Sequence, residues 1–367
     1  MIIAPSRIAK VILPFSCLLG VCWIASHIDQ YSSLNEHDWK SVNSHRRQPC
    51  VCFDNQTGIM HNTCYSHNAT SSGGAPFDCQ LMIRYARQLA LFSLDVDQNR
   101  SRHVDHDPPI VTAADESHYH ELLAAIGSAQ SVSPSKRIIV FDLGLTSDHL
   151  ATLARLCNVD LRMFEFSQWP QYVRELKTYR WKLIIIAQMV TEFPNGFWWS
   201  DASVRWKTNR IQFLYDSVAN GTLAPIVSAS GTFHSIYTAT HPGMYKYLPT
   251  DKERTKRTEE MEIGFLFVLQ TKESLDMIKW LALCALQRDC LHPTGAKLKC
   301  QRAWFSNKTW VQDWSRYAYC HRFDQAALNI VLANQYQFNT NKYRTNKDRR
   351  IGYVRRNGMG PTPKACD

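Results

Sequence analysis

The residues with the clearest chemical potential close one very apolar segment. Phe197, Trp198 and Trp199 run into Ser200 and Asp201, followed by Ala202, Ser203, Val204 and Arg205. A carboxylate at the end of a buried strand is a hard-oxygen group suited to anchoring a divalent cation such as Mn2+ or Mg2+. It is equally suited to a plain turn, because aspartate readily bonds its own backbone. Further on, Glu260 and Glu262 lead into an apolar run, His321 follows Cys320, and Asp324 with Gln325 opens a helical pattern. Each allows two readings. A glutamate at a strand start is a general-base candidate or a solvated charge. An imidazole ligates or packs, and an aspartate at a helix start caps the helix or faces a ligand.

Cysteine supplies the second signal. Of twelve, Cys17 and Cys22 lie in an N-terminal apolar run and the others follow it. Cys50, Cys52, Cys64 and Cys79 form one group, and Cys284, Cys290, Cys300 and Cys320 a second, leaving Cys157 and Cys366. Paired CxxC spacings are absent, and Cys50-Val51-Cys52 is too tight for a usual zinc knuckle, so both groups read as disulfide staples of polar loops. No Gly-x-Ser-x-Gly elbow or His-Glu-x-x-His helix occurs, which leaves a secreted hydrolase without support.

A strand-end carboxylate is useful only if a sheet holds it. From Ile110 onward, short apolar segments at 110–113, 137–141, 159–166, 197–199, 226–229 and 263–269 alternate with helical patterns at 121–129, 147–156, 179–193, 209–219 and 274–286. Asp115 stands where the first of these helices would be N-capped, and Ser147 or Asp148 where the second would be. This alternation is the mark of an α/β domain, and a doubly wound sheet places its ligands at strand carboxyl ends. Residues 29–108 are polar, broken by Gly73-Gly74 and closed by Pro108-Pro109, and read as a cysteine-containing stem with helical periodicity only over 81–94. The domain then spans 109–340, with a basic C-terminal tail over 341–367.

Arg7 and Lys10 precede the uncharged apolar run 11–28, and Asp29 follows it. Such a run can just span a bilayer, and the positive-inside rule leaves residues 1–10 in the cytosol and the rest across the membrane, a type II signal-anchor. A cleaved signal peptide is the alternative, since Pro14, Ser26 and His27 shorten the apolar core. Either reading puts the domain in the secretory pathway, where sequons at Asn55, Asn68, Asn99, Asn220 and Asn307 can be glycosylated. The net charge of +10 is spread along the chain, densest at 252–257 and 342–356. A lumenal address argues against nucleic acid and for phosphate-bearing donors or acidic glycans.

The segment Trp198 to Trp206 resembles the strand-end Asp-x-Asp site of nucleotide-sugar-dependent glycosyltransferases with the GT-A fold. More closely, residues 108–335 resemble an uncharacterised, nematode-rich family of type II membrane proteins classed as glycosyltransferase-like. The shared pieces are Ile110 to Ala114, Phe141 to Leu145, Tyr179-Arg180-Trp181-Lys182, the Asp201 motif, Thr240-His241-Pro242 and Asp324-Gln325. The resemblance implies a GT-A-like doubly wound mixed sheet, a nucleotide-sugar donor and a glycan or glycoprotein acceptor in the Golgi.

It also implies roles for particular residues. Asp201 would hold a divalent cation against the donor diphosphate, with His321 as a late imidazole ligand. Ser203, however, stands where the second carboxylate is usual, so either the metal is held weakly or Arg205 meets the phosphates directly. Ala113 and Asp115 would meet the nucleoside, Glu262 would be the general base of an inverting enzyme, and Asp324 would orient the acceptor or its sugar. The rival reading is a non-catalytic lumenal binding or scaffolding protein with the same fold. Glycosidase treatment is expected to increase the gel mobility of the secretory-pathway protein; an unglycosylated product with free thiols would refute this topology.

Overall fold

The computed structural model describes residues 50–67, 73–91, 102–300, 313–345 and 351–366. The apolar run 11–28 and the sequons at Asn68, Asn99 and Asn307 lie outside these residues. Asn55 and Asn220 are both exposed. Among the described residues no helix is long and apolar enough to cross a membrane.

The first elements form a stapled module. Strands β1 (Val51–Asp54) and β2 (Ile59–Asn62) pair as an antiparallel hairpin. Bridges Cys50–Cys64 and Cys52–Cys79 tie it to helix α1 (Cys79–Gln88), whose first turn is capped by Asp78. Tyr65 and Phe77 set their rings 5.6 and 5.8 Å from Trp280. Of the segment read as a stem, this described module joins the main core, because a hairpin this small cannot bury enough surface alone.

The domain is mixed α/β. Strand β3 (Ile110–Ala114) leads through a 3-10 turn into α2 (Tyr119–Val132), then β4 (Ile138–Asp142), α3 (Ser147–Leu153), β5 (Val159–Met163), α4 (Arg180–Glu192) and β6 (Phe197–Ser200). After β7 (Val204–Trp206) and α5 (Gln212–Ala219) come β8 (Ile226–Ser228), β9 (Gly231–Ser235), β10 (Glu259–Met261) and β11 (Phe265–Val268). Helices α6 (Lys272–Leu286) and α7 (Phe323–Gln335) follow. Two expected caps shift: Asp115 precedes the 3-10 turn without a capping hydrogen bond, and Thr146 is the N-cap of α3.

The central sheet has the order β5-β4-β3-β6-β11-β8, with β3 parallel to β4 and β6, and β11 antiparallel to both its neighbours. Side chains alternate between two cores. Val111, Trp199 and Leu266 pack under α4, α6 and α7, while Ile110, Trp198 and Phe267 pack under α2 and α5. Trp198 and Trp199 are both fully buried on opposite faces. Either one truncated to alanine would cost about 3–5 kcal/mol. Because β11 runs backwards, its start lies beside the end of β6, with Phe265 opposite Ser200. That reversal brings Gly264 against Asp201.

Within the segment set apart as a basic tail, residues 351–366 are a strap built into the domain. Strand β12 (Gly352–Val354) pairs antiparallel with β7, and Cys366 is bonded to Cys157. Cys284–Cys290 and Cys300–Cys320 complete the bridges, so each cysteine group is stapled within itself and the two left over pair with each other. A Cβ on Gly127 would lie 2.0 Å from the Pro361 carbonyl, which shows how closely the strap crosses α2.

Arg205 holds this strap. It is 2% exposed, and its guanidinium donates to the carbonyls of Ala202, Val204, Asn357 and Met359 at 2.7–3.2 Å. Burial lowers its pKa. The expected role in phosphate binding is thereby corrected, since its donors are spent on backbone. Arg205→Met keeps the stem but leaves buried carbonyls unpaired, so thermal unfolding should show a loss of about 3 kcal/mol, the scale of an unsatisfied buried group. Amides 352–354 should exchange faster. Unchanged stability and exchange would show that the strap holds without it.

Candidate active site

The sheet's carboxyl edge gathers one buried ionic cluster. Asp201 leaves β6 with its backbone N–H donated to the Gly264 carbonyl at 2.8 Å. Gly264 is required there, because a Cβ would stand 2.8 Å from Asp201 Oδ2. The carboxylate takes the Trp199 indole N–H on Oδ1 at 2.8 Å and the Lys182 ammonium at 2.9 Å from Oδ1 and 3.2 Å from Oδ2. Lys182 also lies 3.1 Å from Asp324 Oδ2. One ammonium thus serves two carboxylates from three elements: α4, the end of β6 and the first turn of α7.

Exposure divides the cluster. The side chains of Lys182 and Asp324 are 3% and 6% exposed, whereas that of Asp201 is 31% exposed. Burial works against the ammonium's charge, but the charges of Asp201 and Asp324 outweigh it and raise the pKa of Lys182. Asp324 is raised by its burial, with Lys182 opposing and Asp201 adding to the rise. Lys182 sees two carboxylates and is firmly charged, while the burial of Asp324 favours its neutral form. Asp201 is the face open to a ligand.

The elements explain why a lysine sits here. Helix α4 begins Arg180-Trp181-Lys182 and continues through Leu183, Ile184, Ile185 and Ile186, all buried. With no polar face, its first-turn lysine points into the protein. Arg180 donates to the carbonyls of Ala285, Gln287 and Arg288, so it satisfies the end of α6. Tyr179, at the N-cap, is left-handed with φ 56°, a strain of about 1–3 kcal/mol that surrounding contacts must hold. Its ring lies 5.3 Å from the Lys182 ammonium.

Asp324 is the second residue of α7, whose N-cap is Arg322, so the capping role is corrected in favour of the Lys182 contact. His321 is fully buried, its Nδ1 accepts from the His241 N–H at 3.1 Å, and its Nε2 faces the Leu291 carbonyl at 3.2 Å. Burial pushes its pKa down to about 3. Both nitrogens are committed, so His321 packs and does not ligate. Glu262 is partly exposed and accepts the Ser230 hydroxyl. Ser203 is partly buried, and its carbonyl accepts the Arg355 N–H at 2.7 Å.

Ala113 is 6% exposed and belongs to the core rather than to an open surface. Asp115 stands at the end of β3, its Oδ1 accepting from Ser117 Oγ and paired with His118 Nδ1, both at 2.7 Å. Burial would raise its pKa, but these contacts prevail and lower it. At the ends of β4 and β5 lies a cleft of about 370 Å3 lined by Asp142, Gly144, Phe164, Glu165, Phe166 and Arg174 among others, and Asp115 does not line it.

The donor set decides the fit of a divalent cation. Asp201 already binds an ammonium and an indole, Ser203 replaces a carboxylate, and His321 is committed. Among the described residues no group of three or more His, Cys, Asp or Glu side chains is placed to hold a metal. The residues present do not fit a dedicated Mn2+ or Mg2+ site.

A model of a protein family of unknown function, DUF1647, matches residues 50–187, less than half of the chain. No curated protein matches the chain. Among solved structures, the apo form of the bifunctional glycosyltransferase WbbM is 15% identical with a TM-score of 0.38, over 62% of this chain and 37% of that one. An active-site mutant of LgtC is 16% identical with a TM-score of 0.35, over 65% and 73%. Core-mannan synthase A from Aspergillus fumigatus, in its Mn/GDP form, is 11% identical with a TM-score of 0.36, over 74% and 82%. The chain thus spans little over a third of WbbM and most of the other two.

Proposed function

We propose that this protein is a glycosyltransferase with a GT-A-like domain, moving a sugar from a nucleotide-sugar donor to a glycan or glycoprotein acceptor. The observation that carries the reading is the Lys182–Asp201–Asp324 cluster at the carboxyl edge of the sheet, where α/β domains bind ligands. A buried ion group of this kind is costly to keep and marks a site where charge must stay fixed.

The residues divide the work by their exposure. Asp201, held by Lys182 and Trp199, accepts hydroxyl protons of the donor's ribose or sugar. Asp324 keeps Lys182 in place from the buried side. The donor diphosphate needs positive charge, and the strap, held to Ser203 by the Arg355 backbone N–H, offers it in Arg356, which is exposed and close enough to act electrostatically on Tyr179. No step is assigned to a metal. Such a protein would work from a single-pass type II anchor in a Golgi or other secretory membrane, its domain lumenal. The alternative of a lumenal binding or scaffolding protein draws on Ser203 in place of a carboxylate; it would bind nucleotide sugar without releasing nucleotide.

A screen of the protein against several nucleotide sugars, with Mn2+ or with chelator, separates these readings. Nucleotide release that survives chelation is the expected result. Asp201→Asn should fold and lose on the order of a hundredfold in turnover, the scale of one preorganised electrostatic group. Arg356→Gln should weaken nucleoside diphosphate binding about tenfold, as for a charge-assisted hydrogen bond. Unchanged turnover and binding in both variants would remove the site from the reaction.

A further inference from the structure

One buried acid lies next to the cluster without belonging to it. Glu260, on β10, has no exposed surface. Its Oε2 accepts from Gln325 Nε2 at 2.9 Å and lies 3.4 Å from His234 Nδ1, while Oε1 has no hydrogen-bond partner. An ionised carboxylate would need several donors at such a depth. Glu260 has one amide and an imidazole that is itself 3.1 Å from the Ser235 carbonyl.

The charges around it do not supply the deficit. His234 on β9 is held neutral, since burial pushes its pKa down to about 4. From α7, Arg322 favours the ionised form and Asp324 disfavours it; Tyr245, from the 242–246 turn, brings only a buried hydroxyl. Burial prevails over the Gln325 bond and the Arg322 charge, and pushes Glu260 up to about 8.

Its placement gives this neutral acid a task. Helix α7 engages β10 through two amides one turn apart. Asn329 bonds the N–H and the carbonyl of Met261 at 2.7 and 2.8 Å, and Gln325 bonds the Glu260 carboxyl. Asn329 also donates to the Gln325 carbonyl. Gln325 directly follows Asp324, so the rotation of the first turn that sets Asp324 on Lys182 is fixed on its other side by Glu260.

We propose that Glu260, as an uncharged acid, is a positioning residue of the site, which holds Gln325 and thereby seats Asp324 against Lys182. This rests on reading the cluster as a transferase site. Glu262, the general-base candidate of the sequence, accepts the Ser230 hydroxyl.

Glu260→Gln keeps shape and neutrality, and Glu260→Leu keeps an apolar volume without the acceptor. Three readouts apply to both: turnover of nucleotide sugar against pH, donor affinity by calorimetry, and thermal stability against pH. Turnover of the parent protein should fall as pH rises through about 8. Glu260→Gln should match it near neutrality and lose that alkaline limb. Glu260→Leu should lose about tenfold in kcat with donor affinity unchanged, the pattern of a misplaced site rather than a lost contact.

Stability provides a check independent of catalysis. The folded-state pKa is raised, so the folded chain keeps a proton that the unfolded chain releases. Glu260 should therefore make the parent protein lose stability relative to Glu260→Gln from the ordinary carboxyl range up to about 8. A stability difference between the parent and Glu260→Gln that does not change with pH, or an unchanged kcat in Glu260→Leu, overturns the assignment. No turnover in the parent protein, with the pH-dependent stability difference from Glu260→Gln present, would sink the transferase reading and leave Glu260 a neutral structural acid.

Discussion

A buried ammonium is among the most demanding groups a protein can hold, and Lys182 is placed so that two carboxylates answer it. Losing the lysine would leave the buried Asp324 carboxyl without its counter-charge, at a cost of about 3–5 kcal/mol. Much of the architecture follows from that demand. The reversed strand β11 puts a glycine where the Asp201 carboxylate needs room. The strained Tyr179 sets the start of α4, and the first turn of α7 brings in Asp324 from the far side. Trp199 shares the same aspartate, so the hydrophobic core and the ionic cluster meet at one side chain.

The cluster also has a direction. Two of its members are sealed and one faces outward, so a ligand meets a carboxylate whose charge is already balanced from behind. Such an aspartate is a fixed hydrogen-bond acceptor, and its geometry is set before any substrate arrives. Preorganisation of this kind is what electrostatic catalysis uses. On another segment, the strap bonds Ser203 through the Arg355 backbone N–H and brings Arg356 within electrostatic reach of Tyr179.

The strands were legible because runs such as Phe197-Trp198-Trp199 and Ile263 to Leu269 have no polar face to expose, and Asp201 because it ends one of them. The two cysteine groups were legible by proximity along the chain. Lys182 was not selected, although a lysine inside an unbroken apolar helix was the available sign. His321 and Arg205 look like ligands in sequence, and only their hydrogen bonds show that their polar atoms are spent on backbone. Glu260 and Glu262 differ in nothing a sequence displays; the first lies within β10 and is buried, and the second lies just past its end and is half open.

The strap has a consequence for how the molecule is made. The bridge between Cys157 and Cys366 spans 209 positions, whereas the other four span between 6 and 27. During synthesis from the amino end, the short pairs can close as soon as each is complete, but the Cys157 thiol must wait while most of the domain is still being added. Through that interval the edge of β7 also lacks its strand partner, and the turn between Asp201 and Arg205 lacks its cover. The waiting thiol has several wrong partners within reach and one right one that arrives late. Assembly of this edge of the sheet therefore ends with a ring-closing oxidation, and a molecule caught before that step presents a free sulfhydryl and an open sheet edge, the two features by which an unfinished protein can be told from a finished one.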